Sequence, residues 1–219
     1  MSAAAIASPP AVYPDERVVV RRVSWETYER LLADDERRRV PRITFDRGVM
    51  ELVTPSKPHE LDSKTIIRFV DIAAILLGIP VQSTGSTTFR RADLEQAFEA
   101  DGSLYVQNEA RVRTHREADL NIEPPPDVVL EMEVSRSAID KLRLYARMGV
   151  PEVWRCDGER VSMFLLDGET YRESTASAAI PALTAEVLTR FMISSRTMPS
   201  TEWGQAVMAW AREQIQDQG

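Results

Sequence analysis

The chain has 219 residues and a formal net charge of −7, with 43% hydrophobic and 28% charged residues. This length and composition fit one globular core and exclude a disordered or fibrous protein. The lone Cys156 excludes an intramolecular disulfide framework, and with no secretory signature near the N-terminus it favours a cytoplasmic location. The longest apolar stretch, residues 69–81, contains Asp71 and Pro80 and is too short to span a bilayer, so we expect no membrane role.

The charge is unevenly distributed along the chain. Nine arginines and six acids lie between residues 17 and 47, whereas residues 92–133 carry eleven acids and three arginines. A protein that coats nucleic acid by bulk electrostatics needs clustered Lys and Arg, which this net charge argues against. The acidic segment fits either a solvated surface or a cation site that a metal neutralises, and composition does not choose between them.

The first half of the chain predicts a mixture of strands and helices. Residues 42–45 and 49–53 flank an Asp46-Arg47-Gly48 turn and predict a β-hairpin. The other expected elements are a flexible tail over 1–17, a strand over 18–23, a helix over 25–34, a core helix that starts near Pro58 and ends at Gly78, strands over 81–91 and 104–107, and a loop over 109–126.

The second half predicts a β-α-β unit followed by an accessory layer. A strand over 127–134, a helix over 137–148 and a strand over 152–155 form that unit, whose two strands usually pair in parallel. A hairpin over 161–166 and 169–173 and helices over 181–192 and 202–214 follow. The expected fold class is therefore α/β, with a mixed central sheet flanked by helices and a C-terminal hairpin and helices.

Two carboxylates share one face of the most apolar strand. Period-two geometry places Val129, Glu131 and Glu133 on one side and the apolar residues between them on the other. Burying an ionised carboxylate is costly unless it is paired, hydrogen-bonded or metal-bound. The alternatives are an edge strand with one wet face, or arginines that pair the two acids.

Three further charged residues stand near predicted element ends. Asp101 precedes Gly102 at the start of a strand and is either a turn residue or a cation ligand. Lys141 follows a Ser137-x-x-Asp140 capping pattern and either is solvated or reaches toward the carboxylates. Glu60 forms either a helical salt bridge with Lys64 or part of a site. One cysteine and two histidines do not favour a structural zinc site.

Several separated segments occur together in one order, and they include Glu99-Ala100-Asp101 and Glu131-Met132-Glu133. The segments are residues 43–48, 54–60, 99–103, 126–134 and 141–154. This set resembles the Uma-type family, bacterial proteins described as restriction endonucleases within the PD-(D/E)XK superfamily. The similarity covers about residues 20–173 and is specific because the segments are many and ordered.

The resemblance implies a restriction-endonuclease-like nuclease domain over 18–175, with a helical extension over 176–219 packed on it. It implies that Asp101 and Glu131 are metal ligands, that the Met132 carbonyl is another, and that Glu60 holds a metal-bound water. The superfamily places a lysine where this chain has Glu133, so Lys141 is expected to supply the positive charge. Ala100 replaces the proline of the motif, which leaves the role of Asp101 unchanged.

The implied activity is Mg²⁺-dependent hydrolysis of DNA phosphodiester bonds, with Mn²⁺ as a substitute metal and a homodimer if both strands are cut. Glu133 could extend the site to a second cation, and the arginines of residues 17–47, together with Arg90 and Arg91, are candidate phosphate contacts. A second hypothesis is an inactive nuclease-like module that binds nucleic acid or protein. A third treats Glu131 and Glu133 as a glycosidase pair, which their position on one strand disfavours.

Overall fold

The structure is a computed structural model that describes residues 15–34, 41–114, 119–133 and 137–216. Eleven strands and six α-helices are assigned within these residues. The helices are α1 (Trp25–Asp34), α2 (Lys57–Leu77), α3 (Glu109–Val112), α4 (Lys141–Arg147), α5 (Ala185–Ser194) and α6 (Ser200–Gln216). The strands are β1 (Glu16–Arg21), β2 (Arg42–Asp46), β3 (Val49–Thr54), β4 (Gln82–Ser83), β5 (Thr88–Arg91), β6 (Gln96–Glu99), β7 (Gly102–Tyr105), β8 (Val128–Met132), β9 (Glu152–Cys156), β10 (Val161–Asp167) and β11 (Thr170–Ser174).

The strands form two sheets. The first has the order β1-β3-β2-β6-β5 and is antiparallel throughout, and α1 packs on it through Tyr28 and Phe45. The second has the order β11-β10-β9-β8-β7-β4. In it, β8 and β9 pair in parallel, as the β-α-β prediction requires, and the other pairs are antiparallel.

Strand β8 lies in the middle of the second sheet, so the edge-strand alternative is wrong. Val128, Leu130 and Met132 belong to one apolar cluster, shared with α2, α5 and α6. Val129 belongs to another, shared with the Leu144 and Tyr145 side of α4. The predicted alternation of faces is therefore confirmed, and Glu131 lies on the face that α4 covers.

The C-terminal helices cover the opposite face of the same sheet. Trp203, Val207 and Trp210 of α6 pack with Phe69 and Val70 of α2 in one buried cluster. Gly78 ends α2 in the left-handed conformation with φ of 68°, which agrees with the predicted helix end. None of the helices in the described parts of the chain has both the length and the apolar character needed to cross a membrane.

Five features of local structure differ from the predictions. The strand expected over 81–91 is two short strands, β4 and β5, which belong to different sheets. Strand β6 was not predicted, and the loop over 109–126 contains the short helix α3. Strand β1 begins at Glu16, inside the expected tail, whereas residues 1–14 lie outside the described residues.

The fifth difference concerns the start of α4. This helix begins at Lys141 rather than at Ser137, because Asp140 is its N-cap and accepts a hydrogen bond from the Arg143 N–H at 3.1 Å. The Ser137 hydroxyl instead donates to Oε1 of buried Glu51 at 2.8 Å. Lys141 nevertheless lies in the first turn, as expected.

Candidate active site

The end of the β7–β8 pair brings two acids to the same place. Gly102 pairs with Leu130 in an antiparallel register, so Asp101, one residue earlier, lies opposite Glu131. The Asp101 N–H donates to the Leu130 carbonyl at 3.1 Å, and the Asp101 carboxylate accepts from the Met132 N–H at 2.6 Å. Two residues far apart in the sequence therefore meet across one strand pair.

Asp101 is surrounded by basic groups. Its Oδ1 atom forms an ion pair with Arg42 of β2 and lies 2.7 Å from Nε2 of His59 in α2. Only 6% of the Asp101 side chain is exposed, so these contacts stabilise a carboxylate with little access to water. Asp101 lies in the bend between β6 and β7, as the turn-residue alternative expects, and its carboxylate also contacts β2, α2 and β8.

Glu131 is held by two residues of α4. Its Oε2 atom accepts from Nζ of Lys141 at 2.6 Å, and its Oε1 atom accepts from the Tyr145 hydroxyl. Glu131 is 5% exposed and Tyr145 is fully buried. Burial, together with the charge of Glu131, raises the pKa of Tyr145 far above its ordinary value, so Tyr145 remains a hydrogen-bond donor.

Glu133 is more exposed to solvent than Glu131. It forms an ion pair with Arg155 of β9, and both side chains are about one-third exposed. The arginine-pairing alternative therefore holds for Glu133, whereas a lysine and a tyrosine satisfy Glu131. Both acids line a cavity of about 340 Å³, together with Lys141, Tyr145 and Arg155.

The Met132 backbone faces the same edge of the strand as Asp101. Within a strand, the N–H and C=O of one residue point toward the same neighbour. Because the Met132 N–H points at the Asp101 carboxylate, its carbonyl is directed to the side where β7 begins. The carbonyl oxygen and the two carboxylates thus share one end of the strand pair.

Glu60 is linked to Asp101 through the guanidinium group of Arg42. It lies in the first turn of α2, where it forms ion pairs with Arg42 and, at 3.1 Å, with Lys64. The helical salt bridge and the site are therefore compatible, since Arg42 contacts both Glu60 and Asp101. The structure brings Glu60 and Asp101 onto one guanidinium group and places Lys141 on Glu131.

Asp15, Arg42 and His59 lie near Asp101 and Glu60, and the sequence analysis did not assign them to the candidate site. Nδ1 of His59 lies 2.9 Å from Asp15, whose other oxygen accepts from the Ser56 N–H at 2.7 Å. Burial lowers the pKa of His59, and Asp15 opposes that shift in part. Burial alone would raise the pKa of Asp15, but the Ser56 N–H and His59 outweigh it and keep that pKa low.

Arg42, His59 and Asp15 had a weak sequence signal. His59 lies within one of the segments that carry the family resemblance and Arg42 directly precedes another, but charge and spacing alone do not tie them to an acid so distant in the chain. Tyr145 lies one helical turn after Lys141, and that i,i+4 spacing could have identified it.

The oxygen donors fit a hard divalent cation in type. Mg²⁺ is usually bound by one or two carboxylates, and waters and substrate oxygens complete its shell. Asp101, Glu131 and the Met132 carbonyl meet that requirement. Within residues 15–34, 41–114, 119–133 and 137–216, no three His, Cys, Asp or Glu side chains are grouped as a protein-only metal cage.

The fold has a solved counterpart. The structure is similar to that of a "putative nuclease belonging to DUF820" from Anabaena variabilis, with a TM-score of 0.53 and 11% sequence identity. The likeness covers 78% of this chain and 99% of that chain, and at this identity it shows the fold alone. The restriction-endonuclease-like fold class is thereby confirmed.

The remaining comparisons concern sequence. The comparison with curated proteins finds no match. The model of the family described as "Uma2: Putative restriction endonuclease" matches residues 25–194, well over half of the chain. The resemblance seen in the sequence segments is therefore confirmed, and the protein belongs to the Uma2 family.

Proposed function

We propose that the protein is a metal-dependent endonuclease that hydrolyses phosphodiester bonds of DNA. The observation that carries the proposal is the meeting of Asp101 and Glu131 at one end of the β7–β8 pair, with Lys141 on Glu131. Family membership supports a nuclease, and the structural neighbour is itself described as a putative nuclease.

In this proposal, Asp101, Glu131 and the Met132 carbonyl hold Mg²⁺, for which Mn²⁺ can substitute. The bound cation supplies Lewis-acid polarisation of a phosphoryl oxygen and lowers the pKa of a water. We assign to Lys141 the role of orienting the attacking water and of stabilising negative charge that develops at phosphorus. We assign to Glu60 the role of accepting a hydrogen bond from that water.

Glu133 has the position that the superfamily gives to a lysine. Its ion pair with Arg155 supports a role in which both side chains shape the mouth of the cavity. We infer that Arg155 and Arg17, which also lines the cavity, approach the phosphates on either side of the scissile bond. The proposal also includes a cytoplasmic location and a homodimer that cuts both strands.

The test uses purified protein and supercoiled plasmid DNA. We expect nicking in Mg²⁺ or Mn²⁺, no nicking in excess chelator, and loss of nicking by at least about a hundredfold in Asp101→Ala. Asp93→Ala is the matched control, because Asp93 is an exposed acid that pairs with Arg91 and contacts none of the acids of the candidate site. Equal activity in wild type and Asp101→Ala would exclude the assigned site.

The alternative is a module that binds nucleic acid without cutting it. Two observations favour it, namely Glu133 in the lysine position and the basic partners on both Asp101 and Glu131. Calorimetric titration with Mn²⁺ distinguishes the two functions. A nuclease binds Mn²⁺ in wild type and loses that binding in Asp101→Ala, whereas a binding module retains DNA affinity with no such metal site.

A further inference from the structure

The hydroxyl of Tyr145 makes a contact unlike those of Tyr105, which is buried, and Tyr171, which is partly buried. The hydroxyls of Tyr105 and Tyr171 donate to backbone carbonyls, those of Pro124 at 3.0 Å and Val150 at 2.6 Å. The Tyr145 hydroxyl instead donates to a side-chain carboxylate, Oε1 of Glu131. A buried tyrosine needs some acceptor, but a backbone carbonyl would satisfy that need without touching the candidate site.

The ring of Tyr145 is fixed independently of this hydrogen bond. It packs edge-on against Phe98 of β6, with ring centroids 4.8 Å apart and an interplanar angle of 81°. Tyr145 is fully buried in the apolar cluster between α4 and the second sheet. The hydroxyl therefore has a defined position from which it can orient the carboxylate of Glu131.

Lys141 and Tyr145 act on the two oxygens of one carboxylate. Lys141 donates to Oε2 of Glu131 at 2.6 Å, and Tyr145 donates to Oε1. A cationic donor competes with a metal for the carboxylate, because both are positively charged. A neutral hydroxyl restricts rotation of the carboxylate and adds no electrostatic repulsion toward a metal cation.

We propose that Tyr145 is a positioning residue that holds the Glu131 carboxylate in the orientation that binds the metal. This inference rests on the proposed function. Hydrogen bonds that orient a ligating carboxylate typically change metal affinity by about 10- to 100-fold when they are removed. Tyr145 and Lys141 therefore act in opposite directions on metal affinity, although they lie one turn apart on α4.

The experiment compares Tyr145→Phe with Tyr105→Phe. Both variants lose one hydroxyl from a buried ring in the same apolar cluster, and only the first loses a bond to Glu131. Calorimetric titration of each DNA-free protein with Mn²⁺ should give a Kd raised by about tenfold or more in Tyr145→Phe and unchanged within about twofold in Tyr105→Phe. In plasmid cleavage at saturating Mn²⁺, Tyr145→Phe should lower kcat and leave KM for DNA unchanged.

A second readout does not depend on folding of Tyr145→Phe. Addition of Mg²⁺ to the wild-type protein should change the near-ultraviolet absorption of a tyrosine, and the change should be absent from Glu131→Ala. An unchanged Mn²⁺ Kd in Tyr145→Phe, or no tyrosine difference spectrum in a wild type that binds Mn²⁺, overturns the inference and leaves the proposed function standing. Absence of Mn²⁺ binding in wild type overturns the proposed function itself.

Discussion

Substitution of Gly102 tests how closely α2 packs against the second sheet. Its φ lies outside the left-handed region, so no backbone requirement explains a glycine there. A Cβ added at this position would lie 2.7 Å from Cδ1 and 3.1 Å from Cγ1 of Ile67. The glycine therefore permits close approach of α2, the helix that also carries His59 and Glu60.

The cost of filling this space follows from those distances. Carbon atoms pack at about 3.5–4.0 Å, so the end of Ile67 must move by roughly 1 Å. Overpacking costs about 1–3 kcal/mol, and the lower backbone entropy of unfolded alanine returns about 0.4–1 kcal/mol. We expect Gly102→Ala to lower the free energy of unfolding by about 1 kcal/mol, and the larger Gly102→Val by about 2–3 kcal/mol.

Urea unfolding followed by tryptophan fluorescence measures the change, with the m-value unaltered. Gly204→Ala in α6 is the matched control, because its added Cβ would meet nothing nearer than an Arg68 nitrogen at 3.9 Å. This control should raise stability by about 0.5–1 kcal/mol through helix propensity. In an Ile67→Val background, which removes Cδ1, Gly102→Ala should lose at least half its cost. An equal cost in both backgrounds would refute the steric argument.

Two further predictions concern Arg42 and Cys156. Arg42 is 13% exposed and bonds both Asp101 and Glu60, so Arg42→Met should lower metal-free stability by about 2–4 kcal/mol and tighten Mn²⁺ binding. Thermal unfolding with and without Mn²⁺ checks this, and an equal stabilisation by Mn²⁺ in both proteins contradicts it. Burial raises the pKa of Cys156 to about 11, so Ellman's reagent at pH 8 should label it rapidly only in urea. Rapid labelling of the native protein would show that the thiol is accessible.

The regular elements could be predicted because each has a local pattern. The alternation in β8, the glycine turns of both hairpins and the end of α2 at Gly78 all depend on neighbouring residues. Strand β6 was missed because Gln96 and Glu99 are polar at both ends of a four-residue strand. Glu99 is buried and accepts from the Ile43 N–H at 2.9 Å, a partner that no local pattern reveals.

The start of α4 shows how a distant residue changes a local outcome. Ser137 and Asp140 both have the chemistry of an N-cap, and the capping-box spacing favours Ser137. Buried Glu51 of β3 accepts from the Ser137 hydroxyl and from the Ala138 N–H at 2.7 Å, so Asp140 is the N-cap instead and the helix starts at Lys141. Gly102 is a second example, because close approach of Ile67, rather than a turn, requires a residue without a Cβ at that position.

The candidate site depends still more on tertiary partners. Sequence spacing placed Glu131 and Lys141 on adjacent elements and left the roles of Asp101 and Glu60 open, and the family resemblance implied that all four belong to one site. Neither could show that Arg42 joins Asp101 and Glu60, because both contacts require the fold, whereas the spacing of Tyr145 from Lys141 was a usable signal.

The charges of the site explain how so many acids can lie together in a protein of net charge −7. Arg42, Lys141 and Arg155 each form an ion pair with one or more of Glu60, Asp101, Glu131 and Glu133. Removing one partner from a buried pair leaves an uncompensated charge, which is why these acids need their bases in the folded protein. In the proposed reaction a divalent cation takes over that compensation. We propose that Lys141 and Arg155, which line the cavity, then carry positive charge toward a polyanionic substrate, so the residues that stabilise Glu131 and Glu133 also bind phosphate.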